Sequence, residues 1–90
     1  MREVTLYGKP DCHLCAQARD ELVRIGRAHP FRLVERDITL EENLHRAYFE
    51  RIPVIAVDGK DVCDFFVDET ALLSALSSQL TAGDDLESEP

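Results

Sequence analysis

Ninety residues, 44% hydrophobic and 31% charged, suffice for one domain with a single core and have the balance of an ordinary soluble globular chain. No apolar run approaches the ~20 residues needed to cross a bilayer, which excludes a helical membrane span. The formal net charge of −8 excludes the basic face that a phosphate backbone requires, so neither nucleic acid nor membrane is expected as a partner.

Met1-Arg2 leads directly into Val4 and Leu6, leaving no room for a signal peptide, so a reducing, cytoplasmic setting is the expectation. Glu3–Tyr7 alternates and predicts a first strand, broken by Gly8-Lys9-Pro10-Asp11. From His13 the apolar positions Leu14, Ala18, Leu22 and Ile25 recur at helical spacing among polar residues, and Gly26 and Pro30 are expected to end that helix. Phe31–Asp37 predicts a second strand. Thr39 with Glu42 matches a capping box, placing Thr39 as N-cap of a short helix marked by Leu40, Leu44, Ala47 and Tyr48.

Ile52-Pro53 then introduces Val54-Ile55-Ala56-Val57, a continuous apolar run suited to a strand buried on both faces. Asp58-Gly59 is a hairpin signal that returns the chain through Asp61–Phe66, with one of Phe65 and Phe66 in the core and the other half-exposed. A last helix follows Asp68, its buried stripe being Leu72, Leu73, Leu76 and Leu80. Residues 81–90 have no period. Asp84, Asp85, Glu87 and Glu89 put half of the excess negative charge there, and a disordered acidic tail beyond a domain spanning 1–80 is expected. The order β-α-β-α-β-β-α is an α/β arrangement of the thioredoxin kind, a four-stranded mixed sheet with flanking helices.

Cys12 and Cys15 fall where the first strand gives way to the first helix. A thiol there faces unpaired backbone N–H groups and the positive end of the helix dipole, both of which favour the thiolate, the nucleophilic form. Cys15, Ala18 and Leu22 share one helical stripe, so Cys15 is expected to be sheltered and Cys12 accessible. The pair is then suited to attack on a disulfide by Cys12 and resolution by Cys15. Lys9 and His13 add positive charge near Cys12, and Asp11 opposes them. A rival reading gives the pair to zinc or an iron–sulfur cluster. Two thiols supply two of four ligands, Cys63 is a candidate third, and His13, His29 and His45 lack ligand-like spacing, which leaves a cluster shared between two chains. Cys63 itself reads either as a small strand residue packed on the last helix or as a third thiol able to trap a mixed disulfide.

Tyr7-Gly8-Lys9-Pro10-Asp11-Cys12-His13-Leu14-Cys15 resembles the active-site segment of glutaredoxins and small glutaredoxin-like proteins, and Arg51-Ile52-Pro53-Val54 resembles their cis-proline segment. The resemblance spans residues 3 to about 80. It implies Cys12 as nucleophile, Cys15 as resolving thiol, and Lys9 as the base that meets a glutathione carboxylate or tunes the thiolate. Pro53 would be cis and face the dithiol. Because proline has no N–H, the backbone of Ile52 would be left free to pair with an extended substrate. Two departures stand out. Val62-Cys63-Asp64-Phe65-Phe66 replaces the glycine pair that grips the γ-glutamyl end of glutathione, leaving Asp64 or Asp68 as substitute amine partners, and His13-Leu14 replaces the usual Pro-Tyr. The expectation is a monomeric dithiol oxidoreductase acting on protein or low-molecular-weight disulfides. It needs no resident cofactor, and its electrons come from glutathione as co-substrate or from a reductase of the thioredoxin-reductase type. The alternative is a metal-binding or docking protein of the same fold.

Overall fold

The computed structural model describes residues 1–81, with side chains through Ser77. Its elements run β1 (Glu3–Gly8), α1 (His13–Ala28), β2 (Arg32–Asp37), α2 (Glu42–Tyr48), β3 (Val54–Val57), β4 (Lys60–Asp64) and α3 (Glu69–Thr81). The strands form one sheet in the order β2-β1-β3-β4, with β1 parallel to β2 and antiparallel to β3, and β4 antiparallel to β3. This is the α/β mixed sheet that the element order implies.

Periodicity decides what each element buries. In α1 the stripe Cys15, Ala18, Leu22 and Ile25 is buried, and it packs with Val4 and Leu6 of β1, Ile55 and Val57 of β3 and Leu72 of α3. All four residues of β3 are buried, as a strand covered on both faces requires. Asp58 and Gly59 both take positive φ, 49° and 90°, the pattern of a tight two-residue hairpin. The Asp58 carboxylate also accepts a hydrogen bond from the Glu3 N–H, which ties the hairpin to the start of β1.

Four expectations need correction. First, α1 continues through Gly26 to Ala28 and ends where the His29 N–H bonds to Ile25 just ahead of Pro30. Gly26 sits inside the helix with the Phe31 ring over it, 3.4 Å from where a Cβ would stand, an ordinary van der Waals distance. Second, Thr39 is not a helix cap. Its N–H and hydroxyl both donate to the Asp37 carboxylate, at 2.9 and 2.6 Å, closing a short 3₁₀ turn over Ile38–Leu40. Ile38 is buried beneath that turn while Leu40 stays 79% exposed, and α2 begins only at Glu42 without a side-chain cap. Third, β4 stops at Asp64 because Phe65 turns to a positive φ of 70°, and both Phe65 and Phe66 are exposed, so neither ring enters the core. Fourth, Thr81 still belongs to α3. The expectations for the Leu80 side chain and for the acidic tail fall outside the described residues.

Candidate active site

Cys12 is the N-cap of α1. Its backbone is extended (φ −97°, ψ 107°), its carbonyl accepts from the Ala16 N–H at 3.1 Å, and its Sγ accepts from the Cys15 N–H at 3.2 Å. Asp11 before it holds a left-handed conformation with φ 66°. That turn brings the chain from β1 into the helix with the sulfur aimed at the open backbone N–H groups of the first turn. No acidic side chain occupies that turn.

Cys12 and Cys15 are joined in a disulfide, with Cα atoms 5.1 Å apart. Cys12 is half-buried, whereas Cys15 is only 7% exposed. The sheltering of Cys15 depends on Gly8. A Cβ there would stand 2.9 Å from Cys15 Sγ and 3.1 Å from its Cβ, closer than packed atoms tolerate, so a side chain at the end of β1 would have to displace the Cys15 sulfur. Lys9, Asp11, Arg19, Glu35 and Arg36 line a groove of about 370 Å³ running from Cys12 toward the end of β2. Among the described residues neither Lys9 nor Asp11 forms an ion pair.

The sheet register places a second loop at the same end. Tyr7 of β1 is opposite Val54 of β3, so the residues that follow β1 and those that precede β3 leave the sheet side by side. The Ile52–Pro53 peptide bond is cis. Pro53 is fully buried and its carbonyl accepts from the Phe65 N–H at 2.8 Å, while neither the N–H nor the C=O of Ile52 has a hydrogen-bond partner among the described residues.

Arg51 fixes this loop from the other face of the sheet. Its guanidinium pairs with Asp64 at 3.1 Å and Asp61 at 3.5 Å and lies 5.5 Å over the Tyr48 ring. Tyr48 in turn donates its hydroxyl to Asp61 and stacks on Tyr7, with ring centroids 4.6 Å apart. Burial, and then the nearby Asp61 carboxylate, push the Tyr48 phenol above its ordinary range, so it remains the donor.

Residues 3–77 match the sequence model of the Glutaredoxin-like domain (DUF836). The chain belongs to that family. None of the curated proteins matches it. Among solved structures, a protein of Nitrosomonas europaea determined by solution NMR is 29% identical, covering 82% of this chain and 89% of that one, with a TM-score of 0.76. A protein of X. campestris determined by X-ray crystallography is 32% identical over 83% of this chain and 96% of that one, with a TM-score of 0.66. A malarial protein at 17% identity and a TM-score of 0.64 shares the fold alone. A glutaredoxin-like domain carrying a close cysteine pair fits a redox role.

Within this glutaredoxin-like domain the sequence-predicted residues fall into two groups. Cys12, Cys15 and Lys9 meet in one groove, and Ile52 and Pro53 share the sheet end from which it starts. His13 is exposed as the first residue of α1 and does not line the groove. Asp64 is committed to Arg51 and so is not a free partner for an amine; Asp68 likewise accepts the Ala71 N–H at the start of α3. Cys63 faces the core opposite Ile55, and burial pushes its thiol above the usual range, which suits the packed reading. Among the described residues no group of three or more His, Cys, Asp or Glu side chains is placed to hold a metal ion, and no helix is long and apolar enough to cross a membrane. Gly8 and Arg51 were missed as site residues. The small residue at the end of a strand before C-x-x-C was the available signal for the first; the second depends on tertiary contact.

Proposed function

We propose that this protein is a thiol–disulfide oxidoreductase in which Cys12 is the nucleophile and Cys15 the resolving thiol. The observation that carries the reading is the cap geometry. Cys12 Sγ accepts the Cys15 N–H at the positive end of α1, and the sulfur behind it is buried. In the reduced protein that N–H and the helix dipole favour the Cys12 thiolate, and the Lys9 ammonium adds to them.

The exchange balances in two steps. The Cys12 thiolate attacks one sulfur of a substrate disulfide, forming a Cys12–substrate bond and releasing the other sulfur as a thiolate that takes a proton. Cys15, losing its own proton, then attacks Cys12 Sγ, forming the Cys12–Cys15 disulfide and releasing the second substrate thiol. Two electrons pass to the substrate, and an external dithiol or a pair of thiols must return them. The unpaired backbone of Ile52 is suited to hold an extended substrate segment by strand addition during the first step.

The electron donor favoured here is a protein dithiol rather than glutathione. The stretch from Val62 to Phe66 has no glycine pair, and its one carboxylate, Asp64, is already paired with Arg51. The test is turnover of insulin disulfides by the full chain, with a thioredoxin reductase and with glutathione as alternative reductants. Turnover is expected with the reductase, weak or no turnover with glutathione, and loss of both in Cys12→Ser. Retained turnover in Cys12→Ser, or none in the parent protein with either donor, would contradict the assignment.

A further inference from the structure

Leu14, Phe65 and Phe66 are 50%, 51% and 64% exposed, yet they are not scattered: together with Ala18 and Val67 they line one hollow beside the first turn of α1. Leu14 lies between the two cysteines. The hollow occupies the flank of α1 that carries Leu14, Ala18 and Glu21, opposite the flank carrying Cys12, Ala16 and Arg19 that borders the polar groove. Its far wall is the turn after β4, where Phe65 holds a φ of 70° that a bulky side chain rarely adopts. That turn puts both rings in solvent and is tied by the Phe65 N–H to the carbonyl of Pro53, next to the unpaired backbone of Ile52. Exposed rings held out by a disfavoured backbone at a reactive site mark a surface that something covers.

The rim has a charge to match. Glu21, which lines the hollow, shares the guanidinium of Arg24 with Glu69, at 2.6 and 2.9 Å, so two carboxylates stand against one cation; Asp68 beside Val67 is already taken as the cap that accepts the Ala71 N–H. Resting on the exchange reading above, we propose that this hollow docks an extended segment of a disulfide-bearing protein. It receives an apolar side chain close to the substrate cysteine, with a lysine or arginine beside it meeting the acidic rim. A glutathione disulfide has no apolar side chain to place here and presents carboxylates to carboxylates. The surface therefore selects protein disulfides over glutathione-type ones.

The test uses the full chain, pre-reduced, in single-turnover reaction with two short peptides. Each carries its cysteine in a disulfide with 2-nitro-5-thiobenzoate, one flanked by Lys-Leu and the other by Glu-Gly. Cys12 bonds to the peptide sulfur and the coloured thiobenzoate leaves as the thiolate, so no external reductant is needed. The Lys-Leu peptide is expected to react about tenfold faster, the effect of filling or leaving empty a small apolar site. Phe66→Ser should bring the ratio of the two rates toward one. Phe65→Gly, which removes the ring but suits the left-handed backbone, should do the same, and added salt should reduce the ratio partway. Each variant is first shown to keep the circular dichroism and thermal unfolding of the parent, because an unfolded chain would also react with both peptides at similar rates. Equal rates in the parent protein, or a ratio that neither variant changes, would overturn the docking proposal while leaving exchange intact. No thiobenzoate release from either peptide would overturn the exchange reading and the docking proposal with it.

Discussion

The two long sides of this sheet are held by different physics. Helix α1 buries a continuous stripe of four residues and encloses Cys15, whereas α2 buries no residue fully and is joined to the sheet through the Tyr7–Tyr48 stack and the Arg51 ion pairs. Apolar burial is worth about 25 cal/mol per Å² and is not screened by salt, while exposed ion pairs contribute little and are screened. The cysteine pair therefore sits on a helix fixed by packing, and the Ile52 loop follows a helix, α2, that is held mainly by the Tyr7–Tyr48 stack and polar contacts.

Substitutions on the two sides should differ accordingly. The largest effect is expected from Leu22→Ala. Leu22 is fully buried at the centre of the α1 stripe, and its truncation should cost about 2–5 kcal/mol in chemical denaturation, against under about 1 kcal/mol for Leu44→Ala on α2. Comparable losses at the two positions would erase the distinction. Next comes Gly8→Ala, whose methyl group must displace the Cys15 sulfur. About 1–3 kcal/mol of destabilisation is expected, with a changed equilibrium of the Cys12–Cys15 pair against a dithiothreitol buffer. An unchanged equilibrium would mean that the end of β1 does not position Cys15.

Smaller again is Arg51→Met. Because the guanidinium is partly exposed, its ion pairs with Asp61 and Asp64 should be worth under about 1 kcal/mol, and the loss should shrink in high salt. The informative readout is the single-turnover peptide reaction, in which the peptide concentration giving half the maximal rate should rise more than the maximal rate falls if Arg51 acts only by holding the Ile52 loop. The smallest effect concerns Cys63, the free cysteine of the oxidised protein. Burial raises its pKa, so the folded state prefers the neutral thiol. Its contribution to stability is intact below the ordinary thiol value of about 8.5 and is lost as pH rises through the higher folded value. Alkylation of the oxidised protein should accordingly show a midpoint above that of a free thiol; a midpoint at or below it would place Cys63 in a different environment.

What was legible in the sequence follows the same division. The α1 stripe, the doubly buried β3 and the Asp58-Gly59 hairpin are local signals in period and turn chemistry, and the structure follows them except at Leu14, which is 50% exposed while Cys15 takes its place in the buried stripe. The position of Cys12 ahead of a helix and of Cys15 within its buried stripe was readable for the same reason. The polar side was not. Thr39 matched a capping box, but the Asp37 carboxylate two residues earlier captured its N–H and hydroxyl first, a competition that spacing rules do not rank. A strand running through Phe66 puts one of the two rings, Phe65 or Phe66, in the core and leaves the other half-exposed, but the turn after Asp64 puts both outside. The Arg51 cluster joins residues from three segments, which no local pattern reveals.

The central claim is that α1 holds the sulfur of residue 12 as an accessible anion. It is tested most directly by alkylating the reduced protein with limiting iodoacetamide across pH and mapping the modified cysteine by mass spectrometry. Cys12 should be labelled first, with a midpoint well below the ~8.5 of an unperturbed thiol. Labelling of Cys12 with an ordinary midpoint, or earlier labelling of Cys15 or Cys63, would contradict the account.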